Sequence, residues 1–204
     1  HLLEPIELAA MASLELVDRP WATGDSAGFE PYASTETGVP PMPRPGDGYR
    51  THTTGLTHGE DGFPTQDPEV VTRATQRLLD KVENHRADIE SYECHDTEDA
   101  EVLIVAYGIS ARAARAAVRR ARGQGIAAGL FRPITIWPFP EEALKAAASK
   151  AKAILVPEMN AGQLVLEIER IVGHDLPVAG LNRIDGQAIN PDEILQRIKE
   201  LAAK

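Results

Sequence analysis

The spacing of apolar side chains changes character near Asp67. Before it, stretches such as GVPPMPRPGDGYR (38–50) have neither a helical nor a strand period and are crowded with turn formers. After it, Val70, Val71, Ala74, Leu78, Val82 and Ile89 recur at helical intervals, behind Asp67 as an N-cap and Pro68 as a first helical residue. This spacing predicts a single helix over 68–91, with its charges outward, bridging the N-terminal arm and the C-terminal half of the chain. From residue 101 onward, continuous apolar runs alternate with amphipathic ones. EVLIVAYG (101–108) reads as a strand, and ISARAARAAVRRARGQG (109–125) as a helix capped by Ser110 and stopped by Gly123 and Gly125. IAAGLFR (126–132) is a strand, EEALKAAASK (141–150) a helix and AKAILVPEM (151–159) a strand. NAGQLVLEIERIVG (160–173) is a helix with Asn160 at its cap, and LPVAGLNRI (176–184) is a strand. PDEILQRIKELAAK (191–204) is the final helix, opened by Pro191. Four β-then-α units predict an α/β, three-layer domain with a mainly parallel sheet, in which 102–106 and 154–156 are neighbours. The unbroken apolar runs VLIVAY and AILV are those of strands covered on both faces.

The chain thus divides into an extended acidic arm (1–66), a bridging helix and connection (67–100), and the α/β domain (101–204). Residues 1–65 hold eight of the 15 prolines and eight of the 16 glycines, and set three arginines against ten carboxylates. That composition fits a disordered linker. The same stretch carries Trp21, Phe29, Tyr32, Tyr49 and Phe63, which favour an arm ordered by lying on another domain or subunit. A proline-rich backbone is already stiff and loses less entropy on docking. The whole chain has 21 basic and 31 acidic residues, a net charge of −10, which argues against binding nucleic acid or an anionic membrane. The one cysteine, Cys94, builds no disulfide framework and holds no iron–sulfur cluster, which needs about four thiolates; it points to the cytoplasm. The opening HLLEPIELAAMASLELVD carries four acidic and no basic residues, the wrong sign for a signal peptide. No apolar run approaches the ~20 residues of a spanning helix. A start at His1 reads as a piece of a longer or processed polypeptide.

Candidate chemistry is sparse. The turn in YGISARAARAAV points backbone N–H groups past a strand end, a candidate anion site at Ser110 and Arg112; the plainer reading is Gly108 as turn and Ser110 as cap. Arg112, Arg115, Arg119 and Arg122 form one stripe, either a solvated face or a surface for an acidic partner such as the arm. Glu158 sits at a strand's carboxyl end, where open α/β sheets bind ligands, although capping by Asn160 explains that turn equally. His52, His58, Glu60 and Asp61 cluster in HTTGLTHGEDGFPT (51–64), but no further ligand has metal spacing. No serine lies in a nucleophile elbow. In LFRPITIWPFP (130–140), Trp137 and Phe139 stand in a proline-framed loop after a strand. They either plug the core or form a rigid contact surface, with Arg132 reaching a carboxylate or phosphate across a boundary. A nucleotide- or CoA-binding module and a non-catalytic interaction protein are therefore both open readings.

Four stretches in order, PRPGDGYRTHTTGLTHGEDGFPT, AYGISARAARAAV, GLFRPITIWPFPEEAL and ILVPEMNAGQLVLEIERIV, resemble the C-terminal region of the alpha subunit of 2-oxoacid:ferredoxin oxidoreductases, of the 2-oxoglutarate type (2-oxoglutarate synthase). The likeness runs from about Gly38 to the end. It implies a whole enzyme that converts a 2-oxoacid and CoA to acyl-CoA and CO2 while reducing ferredoxin, or the reverse, using thiamine diphosphate with magnesium and iron–sulfur clusters. This region would be the transketolase C-terminal-like domain behind its connecting arm. Its partners would be the upstream thiamine-contacting domain and the beta subunit, with ferredoxin as acceptor. The family's Tyr-Pro-Ile-Thr-Pro signature belongs to that upstream domain; Arg132-Pro133-Ile134-Thr135 is part of a different loop. The resemblance thus implies a segment that is inactive alone, binds no cofactor by itself and serves assembly. Arg44, Arg50, His58, Trp137 and Phe139 are its candidate interface residues.

Overall fold

In a computed structural model, residues 18–203 are described. The chain divides into two compact units, His1–His85 and Arg86–Lys204.

The first unit is an extended arm followed by one helix. Turns with glycines at positive φ punctuate the arm, and short backbone links tie it together, such as Ala22 N–H to Met42 O and Tyr32 N–H to Glu60 O. Helix α1 (Pro68–Glu83) starts as the sequence predicts: Asp67 accepts from the N–H groups of Glu69 and Val70, and Pro68 opens the first turn. None of its residues is buried, and Leu78 and Leu79 are more than half exposed.

The helix predicted over 68–91 is two pieces. Helix α1 ends at Glu83, with Asn84 as C-cap, and α2 (Arg86–Ile89) begins the second unit. Apolar spacing continues through the junction, but the backbone hydrogen bonds do not: Asn84 N–H closes on Asp80 O and His85 N–H on Val82 O. Asn and His are weak helix formers and yield at such a point.

The second unit is built on a five-stranded sheet ordered β1-β3-β2-β4-β5. Its strands are β1 (Tyr92–His95), β2 (Val102–Val105), β3 (Ala128–Pro133), β4 (Ala153–Glu158) and β5 (Val178–Asn182). The last four are parallel, and β2 lies beside β4 with Leu103 opposite Ile154. The four β-then-α units and the neighbouring of 102–106 with 154–156 are thus those expected from the sequence. Strand β1 is an addition to that pattern; it runs antiparallel along β3, with Glu93 opposite Arg132. Four residues of mixed polarity, YECH, carry no legible period.

Helices α3 (Gly108–Arg122) and α6 (Pro191–Ala202) cover one face, and α4 (Glu141–Ala147) and α5 (Gln163–Val172) the other. Strands β2 to β5 each feed both faces. Val102 and Ile104 join Ala114, Ala117 and Ile198 on one side, while Leu103 and Val105 join Leu144, Ile168 and Val156 on the other. The alanines of α3 allow that helix to sit close to the sheet. Gly129 has a similar reason: a Cβ there would stand 2.6 Å from Asp96 O and 2.8 Å from Ala100 Cβ, so the β1–β2 connection can press on β3 only over a glycine. Helix α6 has a complete capping box, Asn190 and Glu193 serving each other's backbone, behind Pro191.

Candidate functional surface

Open parallel sheets place ligands at the carboxyl ends of strands, where successive connections leave in opposite directions. Here that point lies between β2 and β4, since α3 and α5 follow them on opposite faces. At the end of β2, Gly108 turns the chain with φ +54°, a conformation that favours glycine, and α3 begins there. The N-cap is Tyr107, with no side-chain cap. Ser110 is therefore not the cap expected from the sequence. It is the third residue of α3 and is buried, because the helix starts earlier than its polar residue suggested. Arg112 is exposed on the next turn.

At the end of β4 the buried carboxylate of Glu158 accepts from Leu164 N–H at 2.8 Å and Val165 N–H at 3.1 Å. Asn160 accepts from Gly162 and Gln163 N–H just outside. Both acceptors serve the start of α5. Glu158, a candidate ligand residue by its position, thus spends both oxygens on the helix's unpaired donors. The sequence signal for this was present, an acidic residue one turn ahead of an amphipathic run, but Asn160 masked it.

The loop after β3 divides its side chains between core and solvent. Phe139 is buried and lies with Phe131 at a ring separation of 6.3 Å. It belongs to this unit's core and is not surface available to a partner. Trp137 is 69% exposed, and Ile134 and Ile136 are exposed beside it. The loop is held from beneath: Thr135 donates to Ile89 O, Ile134 N–H to Ser91 O, and Arg86 to Phe139 O. The Trp137–Pro138 peptide is cis. Tyr92, opposite Pro133, and Tyr107 and Ile109, at the end of β2, add exposed apolar surface at the same end of the sheet.

Arg132 has an ion-pair partner within its own sheet. Its Nη1 lies 3.1 Å from Glu93 Oε2 on the adjacent strand, and His95 approaches the same oxygen at 3.3 Å. Partial burial raises the Glu93 pKa, but hydrogen bonds from Arg132 and His95 outweigh it and hold the carboxyl below its ordinary value of 4.5. The arginine stripe of α3 has mixed use. Arg122 binds Asp99 and the carbonyls of Asp96 and Ala128, while Arg115 and Arg119 are exposed.

In the arm, Arg44 lies over the ring of Trp21 at 4.4 Å and Arg50 over Phe63 at 5.1 Å. Both arginines are exposed. His58 is buried, stacks on Tyr32 at 4.8 Å and shares a hydrogen bond of 3.0 Å with Thr54. It braces the arm from within and does not face outward as an interface residue. The His/Glu/Asp-rich stretch 51–64 brings together no group suited to a metal; among the described residues no three His, Cys, Asp or Glu side chains converge. No described helix is long and apolar enough to cross a membrane.

The comparisons with known proteins point one way. Residues 100–194 match the family described as pyruvate:ferredoxin oxidoreductase core domain II. The 2-oxoglutarate synthase subunit KorA of Methanothermobacter thermautotrophicus is 41% identical over 174 residues, 85% of this chain and 46% of that protein. Its counterpart from Methanothermobacter marburgensis is 38% identical over 97% of this chain and 52% of its own length. The likeness therefore begins well before Gly38. The chain spans about half the length of these curated relatives. A solved 2-oxoglutarate:ferredoxin oxidoreductase from Magnetococcus marinus, with 2-oxoglutarate, coenzyme A and succinyl-CoA bound, overlays 90% of this chain and 32% of its own, at 27% identity and a TM-score of 0.75. Matched by sequence over most of its length and by fold over both its units, the chain belongs to the 2-oxoacid:ferredoxin oxidoreductase family.

Proposed function

We propose that this chain is part of the alpha subunit of a thiamine-diphosphate-dependent 2-oxoglutarate:ferredoxin oxidoreductase, and that it serves domain and subunit assembly. The whole enzyme would convert 2-oxoglutarate, CoA and oxidised ferredoxin to succinyl-CoA, CO2 and reduced ferredoxin, or run in reverse, in the cytoplasm. The observation that carries the assembly role is the exposed apolar loop at the sheet's carboxyl end. Ile134, Ile136 and Trp137 face solvent while Phe139, two residues on, fixes the loop to the core. Exposed aromatic and aliphatic side chains on a rigid backbone suit a contact centre. Helix α1, with no buried residue, gives the first unit the same character.

The chain's own residues do not fit an iron–sulfur cluster: it has one cysteine, and a cluster takes about four thiolates. Glu158, the buried carboxylate at the strand ends, is committed to α5. Thiamine diphosphate, magnesium and the clusters are accordingly assigned to the upstream thiamine-contacting domain and the beta subunit. The test is reconstitution. The chain alone should show no 2-oxoglutarate- and CoA-dependent reduction of a viologen dye. Co-expressed with those parts it should co-purify with them, and Trp137→Ser should weaken that association at least about tenfold without lowering the chain's own melting temperature. Dye reduction by the chain alone, or association indifferent to Trp137, overturns the proposal.

A further inference from the structure

In a chain of net charge −10, one cleft is lined, among the described residues, by positive charge only. It lies within the first unit, has a volume of about 430 Å³, and is lined by Arg19, Arg77 and Lys81, with no Asp or Glu among the described residues that line it. Its walls are apolar and stiff, chiefly Pro31, Pro40 and Met42. Arg19 is held in place by donating through Nε to Pro40 O at 2.6 Å. Arg77 donates through Nη1 to Tyr32 O at 2.8 Å, while its shielded Nε meets no acceptor among the described residues. A shielded polar group without a partner is costly, so such groups are rarely left that way in an assembled protein. Arg77 and Lys81 are four residues apart on α1, so they present their charges on one side of the helix.

We propose that this cleft is a docking site for a carboxylate-bearing polypeptide segment, a Glu or Asp side chain flanked by apolar residues, supplied by another domain or subunit of the assembly. The carboxylate sits among Arg19, Arg77 and Lys81, and its apolar neighbours pack on Pro31, Pro40 and Met42. Charge complementarity selects an acidic occupant: three cations line the cleft, with no carboxylate beside them among the described residues. The apolar, proline-built wall selects a segment with apolar body over a bare anion, since phosphate or acetate would leave that wall uncovered. The inference rests on the assembly reading above and names the chemistry of one partner in it.

The test uses the full chain, 15N-labelled, titrated with N-acetyl-Leu-Glu-Leu-amide and with the same peptide carrying Gln. A tripeptide is expected to bind at about 1–10 mM. The Glu peptide should shift the Arg77 Nε–H resonance and bind about tenfold more tightly than the Gln peptide. Lys81→Gln, on a partly exposed residue, should weaken the Glu peptide several-fold and leave the remaining spectrum unchanged. Arg77→Met should abolish binding. No shift of the Arg77 signal, equal binding of the Gln peptide, or acetate and phosphate binding as tightly as the Glu peptide overturns the proposal. Absent peptide binding alongside intact, Trp137-dependent assembly removes the cleft alone. Peptide binding without such assembly removes the assembly reading alone.

Discussion

Glu158 offers a quantitative test of how the sheet's carboxyl end is built. Its side chain is 1% exposed and its two oxygens accept from Leu164 and Val165, the second and third residues of α5. Glu158→Gln keeps one acceptor and turns an amide NH2 toward the other N–H. One hydrogen bond to a charged group is lost, worth about 1.5–3 kcal/mol. The favourable placement of negative charge at a helix N-terminus also goes, worth up to about 2 kcal/mol when partly buried. A loss of about 3 kcal/mol is expected, which for a unit of this size corresponds to roughly 10–15 °C in melting temperature. Asn160→Ala removes the outer acceptor of Gly162 and Gln163, which is less shielded, and should cost only about 1 kcal/mol. Thermal and urea unfolding followed by circular dichroism on the full chain would rank the two. If Asn160→Ala proved the costlier change, or Glu158→Gln stayed within about 0.5 kcal/mol of the parent, Glu158 would not be what anchors α5. The buried carboxylate would then be free for another use.

Three further outcomes are expected. Phe139→Ala should destabilise the chain by about 3–5 kcal/mol in chemical denaturation, whereas Trp137→Ser should leave its unfolding midpoint unchanged; equal effects would contradict the division of this loop into core and surface. Gly129→Ala should lower stability by several kcal/mol, because the close neighbour is the Asp96 carbonyl and backbone cannot step aside; a neutral result by thermal melting would mean that the β1–β2 connection relaxes freely. Glu93 should titrate below its ordinary value of 4.5, and Arg132→Ala should raise its pKa in carboxyl-detected NMR. Since the folded pKa is the lower one, this pair's contribution to stability is complete above the ordinary value and fades as pH falls through the folded value. A Glu93 pKa indifferent to Arg132 would refute the pairing.

Local chemistry by itself determined much of this protein. The alternation of VLIVAY, AILV and amphipathic runs fixed four β-then-α units and a parallel sheet, because strands covered on both faces leave an unbroken apolar signature. Asp67-Pro68 and Pro191 fixed two helix starts, since the cap and the first turn are satisfied by residues within four positions of each other. The order of four motifs identified the family. What the tertiary structure alone decided are pairings between segments distant along the chain. Strand β1 exists because its backbone pairs antiparallel with β3, Glu93 standing opposite Arg132, thirty-nine residues away. The end of α1 at Glu83 depends on where one compact unit stops, not on the apolar period, which runs on. Trp137 and Phe139 are near-equivalent in sequence, and only the packing of Phe139 near Phe131 sends one inward and the other into solvent. Ser110 does not cap α3 and Glu158 does serve the start of α5 for the same reason: a cap is defined by which donor lies in reach, and that distance is set once the helix has docked on the sheet.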